Sequence, residues 1–361
     1  MRNLVKKMLF LMPIPLSMLA VSLAGDPAHL FSQGRYEKGI ASILLQHKNA
    51  EGIANCDERL VQRYYAQGTA CSSDVLVLGS SRSLLIGSRL FPGKTLYNGS
   101  VSGASLEDLL AVYQLHRSRG QVPSTVILNL DPWLLNRNNG QVRWKSLEPE
   151  YRALAGRLAS GEQAAGDGWL PSGNWQRYLE ALSPDYSRQS VKSLMGKGGK
   201  EVVATTRSEG DSDIKLWDGS LSYKRSYRAR SRAVVESEAL TYAAADPIYS
   251  LGGFAALDPT LVKVLESFVQ LLQKDGAQVR FCLLPYHPQV YHRIVSSRKY
   301  RMLPAAEAYY RRLARAKGIA VSGSYDPGSL GLDGGDFHDG MHPTSEATAK
   351  ILLRGAPLAE R

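Results

Sequence analysis

Apolar and polar positions follow two different rhythms along this chain. Val75-Leu76-Val77-Leu78, Thr125-Val126-Ile127-Leu128-Asn129-Leu130 and Val279-Arg280-Phe281-Cys282-Leu283-Leu284 are short, nearly unbroken apolar runs, as in strands buried on both faces. Between them apolar residues recur every three or four positions: Leu109, Leu110, Val112, Tyr113 and Leu115; Val262, Leu265, Phe268, Val269 and Leu272; Tyr309, Leu313 and Ala316. That spacing lays a stripe along one side of a helix. Ser105-Leu106-Glu107-Asp108 has capping-box spacing, Asp258-Pro259 supplies a cap and a first helical residue, and Thr344 caps a last helix reaching about Leu353. Gly79 and Asp131-Pro132 close two strands, and Ile319-Ala320-Val321 reads as another short one.

Strands alternating with helices predict a three-layer α/β/α domain with a mainly parallel sheet. It is expected to take up residues 74–132 and 251–361. Such a sheet places its ligand beyond the carboxyl ends of its strands, where Ser81, Asp131 and Pro285-Tyr286-His287 fall. Residues 26–73 read as a linker followed by a helix ending near Tyr65. From about Trp133 to Ser250 the rhythm is lost in Gly/Ser/Arg-rich sequence with Trp144, Trp169, Trp175 and Trp217. That is too long for a simple loop, so 133–250 is predicted to be an inserted, partly helical cap over the sheet edge. Gly196-Lys197-Gly198-Gly199-Lys200 would be its mobile tip; it lacks P-loop spacing and follows no strand.

Arg2, Lys6 and Lys7 precede an uncharged apolar stretch from Met8 to Ala24, so residues 1–25 read as an export or anchoring signal with an N-terminal hydrophobic helix. Its length is short for a span, and Pro13 and Pro15 weaken the helix. Ser22-Leu23-Ala24 also offers the small residues that a signal peptidase reads. Two outcomes stay open: a single-pass inner-membrane anchor, or a cleaved signal and a secreted or periplasmic product. In both, the leading basic residues put the remainder outside the cytoplasm. In that oxidising compartment Cys56 and Cys71 could pair across a short loop or stay as two unpaired small residues, while Cys282 reads as an inert core thiol. No cysteine or histidine spacing suggests a metal site, and no cofactor is expected.

Lysine and arginine number 44 against 33 acidic residues, a formal charge of +11, with basic clusters at Lys224 to Arg232 and Arg298 to Lys317. Such surfaces can meet acidic lipid headgroups or an anionic polymer, or can be ordinary solvated faces. They do not by themselves imply nucleic acid.

Asp336-Phe337-His338-Asp339-Gly340-Met341-His342-Pro343 closes the candidate chemistry. A carboxylate three residues before a histidine, with Ser81 on a strand-to-helix turn, supplies the parts of a nucleophilic acyl-transfer site. The plainer alternatives are a helix-capping Ser81 and an ordinary turn at Asp339 and His342. Asp336 and His338 form a competing pair.

Four blocks in order, Gly79-Ser80-Ser81-Arg82, Asn98-Gly99-Ser100-Val101-Ser102-Gly103-Ala104-Ser105, Asn129-Leu130-Asp131-Pro132 and Asp339-Gly340-Met341-His342, resemble those of the SGNH/GDSL hydrolase superfamily. The closer resemblance is to its membrane-anchored, extracytoplasmic branch, which includes the D-alanyl transfer protein of teichoic-acid modification and the alginate O-acetylation proteins. The resemblance implies Ser81 as nucleophile, His342 as base and then acid, and Asp339 as orienter of the imidazole; its spacing prefers this pair to Asp336 and His338. It implies oxyanion donors at the Ser81 N–H and at Ser100, which aligns with the block's glycine. Asp131 stands where the family has asparagine, and Asn129, on the same strand face, could supply the amide instead. Arg82 could clamp a substrate carboxylate or phosphate or pair with a neighbouring acid, and His287 could border the site or be held by its own turn.

The implied activity is a serine esterase or O-acyltransferase working through an acyl-Ser81 intermediate on a cell-envelope glycan. The implied partners are an acyl donor, a glycan or other envelope polymer as acceptor, and an integral membrane acyltransferase, with the membrane met through the N-terminal helix. A simple secreted esterase or lipase, and a non-enzymatic envelope assembly factor on the same fold, are the alternatives.

Overall fold

A computed structural model describes residues 12–25, 34–160, 187–188, 190–191, 194–195 and 202–354. Its nine strands are β1 (Asn49–Glu51), β2 (Val75–Leu78), β3 (Leu96–Asn98), β4 (Thr125–Asn129), β5 (Val203–Thr205), β6 (Ile214–Lys215), β7 (Leu221–Ser222), β8 (Gln278–Leu283) and β9 (Ala320–Gly323). Eleven α-helices accompany them among the described residues. The central sheet has the order β3-β2-β4-β8-β9 and is parallel throughout.

The unbroken apolar runs have a direct packing cause, because both faces of the sheet are covered. Leu76, Leu78, Val126, Leu128, Phe281 and Leu283 join one cluster with Leu109, Leu110 and Tyr113 of the Leu106–Arg117 helix and Leu265, Phe268 and Leu272 of the Pro259–Lys274 helix. The alternate residues Val75, Val77, Ile127 and Cys282 join a second cluster with Ile86, Phe91, Ala347 and Ile351. Alternate side chains of a strand point to opposite faces, so each strand serves both layers. Capping agrees with the sequence pattern: Ser105 and Asp108 form a full capping box, and Asp258 accepts the N–H groups of Thr260 and Leu261 ahead of Pro259.

Three features depart from expectation. β3 is a fifth strand that the apolar pattern did not announce. The Pro288–Val295 helix follows β8 directly, with His287 as its N-cap. Most of all, the insertion is not only a helical cap. It supplies β5, β6 and β7, which pair antiparallel in the order β5-β1-β6-β7 around β1 from the segment before the main sheet. The backbone N–H of Asn98 donates to the Asp218 carbonyl at 2.7 Å, so this smaller sheet seals the β3 edge. Trp169, Trp175 and Gly196 to Lys200 lie outside the described residues.

Of the expected N-terminal hydrophobic helix, the described part forms the Pro13–Gly25 helix, while the stretch up to residue 11 lies outside the described residues. Among the described residues no helix is long and apolar enough to cross a membrane. Cys56 and Cys71 are unpaired. The eleven-residue Glu58–Gly68 helix lies between them, with a rise of roughly 16 Å along its axis. Cys282 is buried in β8.

The basic run from Lys224 to Arg232 is largely charge-balanced. Arg228 pairs with Glu209 at 2.9 Å and Arg230 with Glu238 at 2.6 Å, and Arg232 lies 3.8 Å from both Glu236 and Asp333. In the second cluster Arg311 pairs with Glu307.

Candidate active site

β2 has β3 on one side and β4 on the other, so the chain leaves its carboxyl end at the point where strand order reverses. A crevice opens there in sheets of this kind. Gly79 ends β2 and allows the turn to pass close to β4: a Cβ at this position would stand 2.4 Å from Ser83 Oγ and 2.6 Å from Asn129 Cβ. The next residues form a one-turn 3-10 helix, Ser81–Ser83, and its N-cap is Ser80, whose Oγ accepts the Arg82 N–H at 3.2 Å. Capping is therefore done by Ser80, which leaves the Ser81 hydroxyl for another partner.

That partner is His342. Ser81 Oγ lies 2.9 Å from His342 Nε2, across 261 residues of sequence. His342 sits in a tight hairpin bridged at Phe337 and Pro343, where the His338 N–H donates to the His342 carbonyl at 2.9 Å. Asp339 shapes this turn by accepting the Met341 and His342 backbone N–H groups on Oδ1 at 2.8 and 2.9 Å. The same carboxylate lies 2.8 Å from His342 Nδ1 through Oδ2. Turn-forming and imidazole-orienting roles thus coincide in one side chain.

Sequence reasoning did not find the fourth participant. Tyr227, from the insertion, donates its O–H to Asp339 Oδ2 at 2.7 Å, and the Arg230 guanidinium lies over its ring at 4.2 Å. Burial raises the Asp339 carboxyl, but His342, the Met341 N–H and Tyr227 outweigh it and hold the group well below the ordinary carboxylate range. Tyr223 and Tyr227 also pack against His338, with ring centroids 5.6 and 5.3 Å away. His338 is buried, which lowers its pKa, and its contacts are with this aromatic wall. The competing Asp336 accepts the Asp333 N–H and lies 3.5 Å from Lys350, so it orders a neighbouring turn.

Arg82 does not face the cavity. It is buried, with Nη1 2.9 Å from Asp131 Oδ1, Nε donating to the Met341 carbonyl at 3.0 Å, and Nη2 donating to the carbonyls of Leu284 and Pro285. The Tyr286 ring lies 4.3 Å from its guanidinium carbon. One side chain therefore ties the ends of β2, β4 and β8 to the histidine turn, with four of its five N–H donors so engaged and the guanidinium buried rather than set out as a substrate clamp. Burial pushes the Asp131 carboxyl up against the pull of Arg82, and the pairing cancels the charge that would repel an oxyanion.

Two expected donors are committed elsewhere. Asn129 Nδ2 donates to Asp131 Oδ2 at 3.0 Å, because both residues lie inside the sheet edge. The Ser100 N–H donates to Asn98 Oδ1 at 2.9 Å, and its hydroxyl meets Ser83 Oγ at 2.9 Å. His287 is likewise held by its own turn: Nδ1 accepts the Gln289 N–H at 3.3 Å, and burial lowers its pKa.

A cavity of about 440 Å³ opens over Ser81 and His342, within the range of small-ligand sites. Ile53, Val61, Leu84 and Leu221 give it apolar walls, Tyr223, Tyr227 and Tyr249 aromatic ones, and Glu58, Arg143, Asp213 and Lys215 charge. Gly103 also lines it, three positions beyond Ser100 and in the left-handed region at φ +58°. Its loop is pinned from below by Arg59, which holds Asp108 through two bonds of 2.8 and 2.9 Å and reaches the carbonyls of Ser102 and Gly103. The sequence shows only the glycine itself, the residue type that this left-handed conformation favours. Among the described residues no cluster of histidine, cysteine or acidic side chains is arranged to hold a metal ion.

No protein-family model matches this sequence, and no curated protein matches it at a significant level.

Proposed function

We propose that this chain is a serine acyl-transfer enzyme of the SGNH type, an O-acyltransferase or esterase acting outside the cytoplasm on a cell-envelope glycan. The observation that carries the chemistry is the 2.9 Å approach of Ser81 Oγ to His342 Nε2, with Asp339 at the other ring nitrogen. His342 takes the Ser81 proton as the oxygen attacks the acyl carbonyl, then returns it to the leaving group as the acyl-Ser81 ester forms. A sugar hydroxyl or water, deprotonated by the same imidazole, attacks that ester and restores the serine. Negative charge on the carbonyl oxygen would be met by the Ser81 N–H, which opens its 3-10 turn and so has no acceptor within it. Donors fixed beforehand are the largest contribution in such reactions.

The neutralised Asp131 supports an enzyme over a non-enzymatic assembly factor, because the carboxylate that argued against catalysis is paired with Arg82. The glycan and the extracytoplasmic location rest on the sequence resemblance and the N-terminal pattern. A second reading, a simple esterase, is favoured by the apolar lining at Ile53, Val61, Leu84 and Leu221. Aryl-ester turnover in water, compared with turnover in the presence of glycan acceptors, separates the two.

The test of the chemistry is a serine-directed fluorophosphonate probe on wild type, Ser81→Ala and His342→Ala. Labelling of wild type alone supports the proposal; an unlabelled wild type, or labelling that survives in both variants, removes it.

A further inference from the structure

Lys215 is 5 % exposed, yet it lines the cavity above Ser81. A lysine ammonium has three N–H donors. One goes to the Gly219 carbonyl at 3.0 Å, a neutral partner that leaves the charge uncompensated. Among the described residues no carboxylate lies within ion-pair distance of Lys215 or of Arg143, the other cation on the cavity wall.

The two acids that share the cavity each accept a backbone N–H, and neither comes within ion-pair distance of Lys215. Glu58 Oε2 accepts the Ser102 N–H, and Asp213 Oδ1 accepts the Lys224 N–H at 2.7 Å. A buried cation without a direct ion-pair partner is costly to the fold, and the cost is offset when a ligand brings an anion into contact with it. We infer that the Lys215 side of the cavity is a subsite for a carboxylate carried by the substrate. This inference rests on the acyl-transfer reading of Ser81 and names the charge of what Ser81 acts on.

The class of anion follows from the walls. The one buried cation is an ammonium, a point charge suited to a monoanion, whereas a phosphate dianion calls for more buried donors, and the guanidinium of Arg143 is exposed. Ile53, Val61, Leu84 and Leu221 surround a short carbon chain better than a hydrated dianion. The carboxylate therefore stands at the end of a short aliphatic chain, with exposed Arg143 as an outer cation that draws it in.

The discriminating measurement compares two aryl esters of equal chain length, the 4-nitrophenyl half-ester of glutaric acid and 4-nitrophenyl pentanoate. In wild type kcat/KM for the half-ester should exceed that for pentanoate by about tenfold or more, the range of a hydrogen bond to a charged group. Lys215→Met should bring that ratio to about one, and Arg143→Gln should lower it part of the way, which keeps the test intact if Lys215→Met folds poorly. A wild-type ratio near one with no Lys215-dependent preference for uronate over neutral sugar acceptors, or a raised ratio that is the same in all three proteins, overturns the inference. A ratio near one for the esters combined with a Lys215-dependent preference for uronate over neutral sugar acceptors would keep the anion subsite and move the carboxylate from the acyl group to the acceptor. Failure to turn over either ester defeats the Ser81 reading instead. Calorimetric binding of glutarate then decides the subsite alone: binding by wild type that is lost in Lys215→Met upholds it, and no binding ends it.

Discussion

Arg82 Nη1 lies 2.9 Å from Asp131 Oδ1, and neither side chain meets solvent. The pair joins the turn that carries Ser81 to the end of β4, and the same guanidinium holds the Met341 carbonyl beside His342. Serine and histidine are thereby fixed in one frame by a residue that touches neither reacting group. Removing one member leaves an uncompensated buried charge, so Arg82→Met and Asp131→Leu should each destabilise the fold by about 3–5 kcal/mol. The double variant should recover much of that loss. Urea denaturation of the four proteins checks it, and additive losses would mean that the pair is not coupled.

Tyr227→Phe should lower kcat on an aryl ester by about tenfold, the range of a lost hydrogen bond to a charged group, with little change in KM. The ring and its packing on His338 remain in this variant, so only the O–H donated to Asp339 is removed. Steady-state kinetics beside a melting curve separate this from unfolding. A proportionate fall in melting temperature with kcat intact would assign Tyr227 to structure alone.

Gly79→Ala should disturb the site without touching a reacting group. Its methyl would lie 2.6 Å from Asn129 Cβ, inside the sheet edge where little can shift. We expect a stability loss of about 1–3 kcal/mol together with slower fluorophosphonate labelling of Ser81. Unaltered labelling kinetics would show that the turn tolerates a side chain.

His116 sets an acid limit that is independent of catalysis. Burial pushes its pKa down to about 4, against a hydrogen bond with Gln121, while an unfolded histidine titrates near 6.5. Below that value the unfolded chain gains the proton first, so stability should fall progressively between pH 6.5 and 4, by about 3 kcal/mol in all. Above pH 6.5 this contribution is fully present. His116→Phe should flatten that part of the curve, measured as urea midpoints against pH. An unchanged slope would place the acid sensitivity elsewhere.

The central sheet was legible because burial on both faces leaves an unbroken apolar run, and that pattern needs no knowledge of partners. Ser81, Asp339 and His342 were legible as residue types at a characteristic spacing. β3 escaped because it is only three residues long, and β5, β6 and β7 because strands of two or three residues carry no periodicity. β1 finds β5 about 150 residues away, with Asn49 opposite Thr205, a pairing that no local signal encodes. Tyr227 and Arg59 belong to the same class: their roles exist only where distant segments meet. Ser100 is expected as a donor from its alignment with the block's glycine, and Asn129 from sharing a strand face with Asp131. Their N–H groups are committed to Asn98 and Asp131, which residue type alone does not reveal.

The separation of 261 positions between Ser81 and His342 also bears on when the proposed site can become reactive. A growing polypeptide displays the Ser81 hydroxyl long before His342 emerges, and during that interval the hydroxyl lacks the imidazole that meets it in the fold. On the acyl-transfer proposal, biogenesis then has a built-in delay: a half-made chain is not acylated prematurely, and fragments truncated ahead of the histidine hairpin are expected to be inert whatever the integrity of their sheet.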